Sequence, residues 1–408
     1  MKKRILIIAT LDTKEEEALF LKERIEARGH RVLIMDTGIL KPPKVKPDID
    51  QEEVARRGGI PLKGLLATGN KGECVANMIR GAQAITRELY NIGVIDGVIS
   101  VGGAQGTEIA CAAMRELPTG VPKLMVSTVA SGRATFGPYV GTKDLVMMHS
   151  VADIQGINFL TREIFIRAAG AICGMVEEEP EQIVTQKVPV ALSMLGTTTP
   201  GAMRVKALLE PKGFELVAFH QNGTGGIAME GMIAEGRFKA VLDLNLHEIA
   251  DREFGGLHGA ISPTRLETAG ALGLPQVVAP GSINYYILGP LETLPQDILK
   301  RKHLAHNPNL TIVRATPGEL IGIAQVVARK LNQAKGPVHV LIPLKGFCSP
   351  DREGHEIWEP EGNLAFIETL KKNLNPSIPL TEVDAHINDP EFVDPVVACF
   401  MELVPPDQ

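Results

Sequence analysis

The stretch GVISVGGAQGTEIA, residues 97–110, runs from a β-branched apolar segment into glycines and then into an alanine-rich helical pattern. Gly102, Gly103 and Gly106 free the backbone there, and Gln105 and Thr107 bring polar side chains to the turn. A turn of this build can aim peptide N–H groups and the positive end of a helix at a phosphate. The same glycines would also serve a tight strand-to-helix connection that needs them only for shape. Neighbouring loops add groups that an anion could use. Thr10, Asp12, Thr13 and Lys14 follow the first apolar run, Asp36 closes the second, and Ser131, Gly132, Gly141 and Thr142 follow a later one. No lysine precedes Thr107, so the P-loop mechanism does not apply. Peptide N–H groups, Lys14 and an Mg²⁺ ion near Asp12 would have to offset the phosphate charge instead.

Asp36 stands roughly 25 residues after the first loop, where a Rossmann acid hydrogen-bonds a ribose hydroxyl. That first loop contains no glycine, however, and Glu15, Glu16 and Glu17 crowd the following helix start with negative charge. The ligand expected from this pattern is ATP rather than NAD. Thr13 and Glu16 have capping-box spacing, which predicts the helix entry there.

The second half is denser in reactive side chains. His220 precedes a flexible turn in FHQNGTGG, Lys345 and Asp351 flank the loop PLKGFCSPD, and Asp384 and His386 end a strand in EVDAHINDPEF. Lysine, histidine and carboxylate at strand ends can supply a cation clamp, a proton carrier and its orienting partner. Parallel strands deliver their loops to one edge, so Lys345, Asp351 and His386 are expected in one pocket. Each also has a plainer role, as a turn cap or a solvated loop residue. Asp384 and His386 could share a metal, but two ligands do not make a site. Arg265 and His258 are further candidates for anion recognition.

These residues need a scaffold. At 408 residues the chain exceeds one ordinary core, so two domains are expected. Strand and helix patterns alternate throughout, which predicts an α/β class with two Rossmann-like domains, mainly parallel sheets flanked by helices. The acidic segment VEEEPEQIVTQK divides residues 1–180, the nucleotide half, from 181–408, the half with the candidate substrate pocket. RILIIATLDTKEEE and PVALSMLGTTTPGA open the two halves in the same way, as though one unit were repeated. A formal charge of −6 argues against a general nucleic-acid binder. No run approaches the roughly 20 apolar residues that span a bilayer. The start MKKRILIIATL reads as a strand, because its apolar run is short and Asp12 follows at once. Five scattered cysteines suit reduced cytoplasmic thiols.

Taken in order, LDTK, SVGGAQGT, YVGTKD, HQNGTGG, APGS, HNPN, PLKGFCSPD and HINDPEF resemble one family across nearly the full chain. It is the ATP-binding domain family of the plant tobamovirus-resistance protein (Tm one-like), in its bacterial branch. The resemblance implies two Rossmann-like domains, a homodimer, and ATP held by loops that include Thr10 to Lys14, Gly102 to Thr107, and Ser131-Gly132. The expected function is therefore ATP binding in the first half with a second small-molecule pocket in the other. The alternatives are an enzyme on a small carboxylate or sugar-derived acid, acting through Lys345, Asp351, Asp384 and His386, and a non-catalytic interaction scaffold.

Overall fold

The computed structural model describes residues 2–131, 137–179 and 187–405. The chain divides into two compact units, Met1–Ile183 and Val184–Gln408, and the division falls within the acidic segment.

In the first unit, apolar runs form β1 (Arg4–Ala9), β2 (Arg31–Asp36), β3 (Gly97–Gly102), β4 (Lys123–Ser127) and β5 (Val146–His149). They pair in parallel in the order β2-β1-β3-β4-β5. Successive side chains of a strand point to opposite faces. Leu6, Ile8, Val98 and Met125 accordingly join one core, while Ile5, Ile7, Ile99, Val101 and Val126 join another on the far face. Helices cover both, as the unbroken apolar run Ile5–Ala9 of β1 predicts. The chain turns from β2 on one side of β1 to β3 on the other. At that reversal the strand-end loops part, and a crevice opens beyond the carboxyl ends of β1 and β3.

The second unit repeats this plan. Its parallel strands are β6 (Val188–Met194), β7 (Phe214–His220), β8 (Ala240–Asp243), β9 (Gln276–Val278), β13 (Val338–Pro343) and β14 (Leu380–Val383). Their order, β14-β13-β9-β8-β6-β7, is the order of the first sheet read from the other end with one strand added. The reversal here lies between β6 and β8.

Between β9 and β13 the chain makes a separate antiparallel sheet from β10 (Tyr285–Leu288), β11 (His303–Asn307) and β12 (Leu310–Arg314), in the order β10-β12-β11. β12 thus departs from the mainly parallel pairing expected for the chain. β11 and β12 form a hairpin whose two-residue loop makes antiparallel pairing the short path. Among the described residues no helix is long and apolar enough to cross a membrane. All five cysteines are buried and free.

Candidate functional site

The first crevice is built from the ends of β1, β2 and β3. Thr10 caps the helix Leu11–Glu26, and its carbonyl accepts the Thr13 and Lys14 amides at 3.0 and 2.8 Å. The expected capping box from Thr13 does not form, because the helix begins at Leu11 with no side-chain cap. The Thr10 and Thr13 hydroxyls lie 3.2 Å apart, and the Lys14 backbone leaves helical geometry, with φ −126° and ψ 26°. Lys14 Nζ donates to Thr13 O at 3.3 Å, so its ammonium sits over this loop.

Asp12, Glu15 and Glu17 near this loop are taken up by backbone amides, while Glu16 is exposed. Asp12 is buried and accepts N–H groups from Ile39 and Leu40 at 2.8 and 2.9 Å. Glu15 accepts from Lys44 and Val45, and Glu17 from Gly156. The expected competition with phosphate at this helix start is reduced accordingly. The Asp12 carboxylate pins the loop after β2 through Oδ2. Asp36 is wholly buried and accepts from Leu11 at 3.0 Å and Gly38 at 2.8 Å. A ribose hydroxyl has no path to a side chain so enclosed, which corrects that expectation too.

Burial pushes the Asp36 carboxyl up to about 6, against the pull of its two amide partners. A carboxyl raised by folding supports the fold fully below its unfolded value of 3.8 and loses that contribution as pH rises through about 6. Asp36→Asn should therefore be more stable than the wild type at pH 8, by about 1–3 kcal/mol. The difference should vanish below pH 4, as denaturant unfolding at several pH values would read. Parallel curves for the two proteins would contradict it.

At β3 the backbone is close-packed rather than strained. A Cβ on Gly102 would stand 3.1 Å from the Gly106 Cα, so glycine is needed there for close approach. Gly103 caps the helix Ala104–Met114 in extended geometry, with no side-chain cap and no acid in the first turn. Gly106 faces Thr10 across the crevice, its would-be Cβ 3.9 Å from the Thr10 Oγ1. Gln105, half-buried, precedes Gly106 in the first helical turn. Thr107 is fully buried and pairs its hydroxyl with Ser127 at 2.7 Å, so it braces β4 and offers a ligand nothing.

Ser131 is exposed beyond β4, and Gly132 lies outside the described residues. Gly141 and Thr142 are not at this edge. A Cβ on Gly141 would meet the Arg115 side chain at the far end of the Ala104–Met114 helix. The neighbouring Asp144 pairs with Lys123 at the start of β4. Both glycine and threonine thus lie toward the amino edge, because the chain has already returned there to begin β5. A cleft of ≈ 690 Å³ at that edge, lined in part by Lys3, Asp96 and Asp144, is larger than the ≈ 270 Å³ cleft beside the β1 loop. Ligand chemistry in open parallel sheets belongs to the carboxyl edge, so size does not decide between them.

In the second unit, the residues expected to share a pocket are mostly engaged in structure. Asp351 is fully buried and accepts from Phe347 N and Asn363 Nδ2 at 2.8 Å, with Asn284 and Arg314 also on its oxygens. His386 is buried, with Nε2 2.9 Å from the Cys348 carbonyl and Nδ1 accepting the Asn388 amide at 3.2 Å. Burial lowers its pKa, so the ring is held neutral between a donor and an acceptor. Lys345 pairs with Asp384 at 3.0 Å, and both side chains are more than half exposed. A Cβ on Gly346 would run into the Asp351 carbonyl and approach the His386 ring, so this glycine packs between the Asp351 backbone and His386. The Asp351 carboxylate and the His386 ring each serve the loop after β13 through separate partners. His220 is exposed at the end of β7.

The crevice between β6 and β8 holds residues that the sequence reading passed over. Arg265, offered as an anion receptor, is fully buried among acceptors. Its guanidinium meets Asp243 at 2.8 Å, Gln221 at 2.9 Å, the Asn245 carbonyl at 3.0 Å and Glu248 at 3.3 Å, with Glu230 at 3.7 Å. Three carboxylates surround one cation. Burial raises Glu230 and Glu248, and Arg265 opposes the rise. Ser193 donates to Asp243 at 2.7 Å, and Ser282, held at φ 56°, accepts from Asn245 at 3.0 Å. The signal was present in DLNLHEIAD after β8, where polar residues crowd a strand end.

Models of the uncharacterised protein family UPF0261 match both units, its N-terminal domain over residues 3–181 and its C-terminal domain over 187–404. A UPF0261 protein of Clostridium tetani is 42% identical over 96% of this chain and 96% of its own length. One from Rhizobium meliloti is 36% identical over 99% and 100%. The tomato (Solanum lycopersicum) ToMV resistance protein Tm-1(GCR237) is 32% identical over 98% of this chain and 56% of its own length. Among solved structures, UDP-N-acetylglucosamine 2-epimerase from Rickettsia bellii is 12% identical, covering 68% of this chain and 79% of its own, at a TM-score of 0.22. With family models covering both of its units, this chain belongs to the UPF0261 family.

Proposed function

We propose that the first unit binds ATP in the crevice between β1 and β3, its phosphates on the amides of Ala104, Gln105 and Gly106. One observation carries the reading. At the reversal of strand order, a helix start with neither side-chain cap nor acidic residue faces the Thr10 loop across glycine. The first amides of a helix have no intrahelical partner and carry its positive pole, so an anion there completes them. Lys14 adds a cation over the same loop, and Thr13 adds a hydroxyl.

Gly106→Val tests this directly. The position is helical with ordinary φ, and a Cβ has room, so the strain expected from a left-handed turn does not arise. The extra methyls fill the gap toward Thr10 instead. Calorimetry should show ATP binding to the wild type more tightly than NAD. The variant should lose at least about tenfold in ATP affinity, or about 1.4 kcal/mol. Tighter binding of NAD, or unchanged ATP affinity in a folded variant, would overturn the assignment.

A further inference from the structure

In the second unit, the helix His247–Phe254 leaves the end of β8 and carries His247 and Asp251 one turn apart on one face. The chain then reverses through Gly255, at φ 70°, and returns His258 to the same point. That return depends on close approach. A Cβ on Gly256 would stand 2.4 Å from the Asp251 carboxyl carbon, and one on Gly259 would stand 2.7 Å from the Asp251 carbonyl. His247 Nε2 consequently lies 3.2 Å from His258 Nδ1 and 3.4 Å from Asp251 Oδ1. The three donor atoms fall within 4.8 Å of one another.

We infer that His247, Asp251 and His258 form a binding site for a divalent transition metal of the zinc class. In a tetrahedral site with metal–ligand distances near 2.0–2.1 Å, neighbouring ligand atoms stand roughly 3.3–3.4 Å apart. The two short separations here match that edge. Two imidazoles and one carboxylate suit zinc or iron(II) better than magnesium or calcium, which prefer all-oxygen shells.

The ligands are also held as such ligands are. Asp251 Oδ1 accepts the Ile287 amide at 2.9 Å and Oδ2 accepts the His258 amide at 2.7 Å, which fixes both oxygens while leaving lone pairs free. The His247 ring is wholly buried against Tyr285, with centroids 4.8 Å apart. Its Nδ1 has no hydrogen-bond partner. Its Nε2 is aimed at the other two members of the cluster, His258 and Asp251, which is the arrangement that ligation through Nε2 requires. His258 is only half-buried, so solvent reaches the cluster from its side, and exposed His220 stands near it. Three protein ligands with an open position are the pattern of a metal that meets a substrate or water.

The full-length protein, stripped with chelator and titrated with Zn²⁺ by calorimetry, should bind one equivalent. Co²⁺ should give the intense visible absorption of a low-coordinate site. His258→Ala, on a partly exposed loop, and His247→Phe, which keeps the ring stacked on Tyr285, should each weaken Zn²⁺ binding by about 100-fold or more. Both should also lose the Co²⁺ spectrum. Absence of binding to the wild type, or unchanged affinity and spectrum in both variants, would overturn the site. ATP titration is a separate measurement, so failure of the nucleotide reading would leave this one standing.

Discussion

Arg265→Met should lower the stability of the second unit by about 4 kcal/mol or more at pH 7. Removing one partner of a buried ion pair costs about 3–5 kcal/mol, because the other charge is left without compensation. Here the guanidinium is surrounded by Asp243, Glu248 and Glu230, all 4% exposed or less, and methionine replaces its stem but none of its five donors. Glu230 and Glu248 already stand above their ordinary values with the cation present. Without it they rise further, so the folded variant takes up protons more readily than the unfolded chain. Its deficit relative to wild type should narrow as pH falls toward 5. The single tryptophan, Trp358, lies in the same unit and reports its unfolding in urea by fluorescence. A loss under about 1 kcal/mol, with no pH dependence, would show the cluster to be solvated and cheap.

The second large effect is expected at Asp351→Ala. Its carboxylate collects the Phe347 amide, the amides of Asn284 and Asn363, and the Arg314 guanidinium. Alanine strands four donors in a buried site, and stability should fall by about 3–5 kcal/mol. ATP affinity in the first unit should stay within about twofold of wild type, or about 0.4 kcal/mol. If Asp351 were instead a group held ready for a substrate, its removal would leave stability nearly unchanged. Urea unfolding separates the two outcomes.

The parallel sheets were legible in the sequence because buried parallel strands read as unbroken apolar runs, as Ile5 to Ala9 does. The antiparallel sheet was not. β11, HLAHN, is short and half polar, and β10 follows a loop of proline, glycine and asparagine that reads as a turn. The first crevice was visible because glycine spacing is a backbone property, and backbone geometry is written locally. What failed there was direction. Asp12, Asp36 and Thr107 look like ligand groups in sequence, yet each turns inward to satisfy a neighbouring loop or strand. The same limit explains the second unit. Asp351 and His386 are reactive types at strand ends, but whether such a residue serves a ligand or the fold depends on partners such as Asn284, Asn363 and Cys348, which lie far off in sequence. Arg265 was read as an anion receptor for want of knowing that three carboxylates converge on it.

The shared strand order of the two sheets has a consequence for their ancestry and their present division of labour. One wiring diagram appears twice, and in each copy the reversal point is the natural berth for a guest. The two berths have nonetheless diverged to opposite polarity. In the first, Asp12, Glu15 and Glu17 are held by backbone amides and a helix starts with neither side-chain cap nor acid, the polarity that the proposed ATP site calls for. In the second, carboxylates outnumber the one buried guanidinium and imidazoles gather beside them, so the berth is an acceptor and suits a cation. On the two proposed assignments, the halves would draw ligands of opposite charge and would not compete for one.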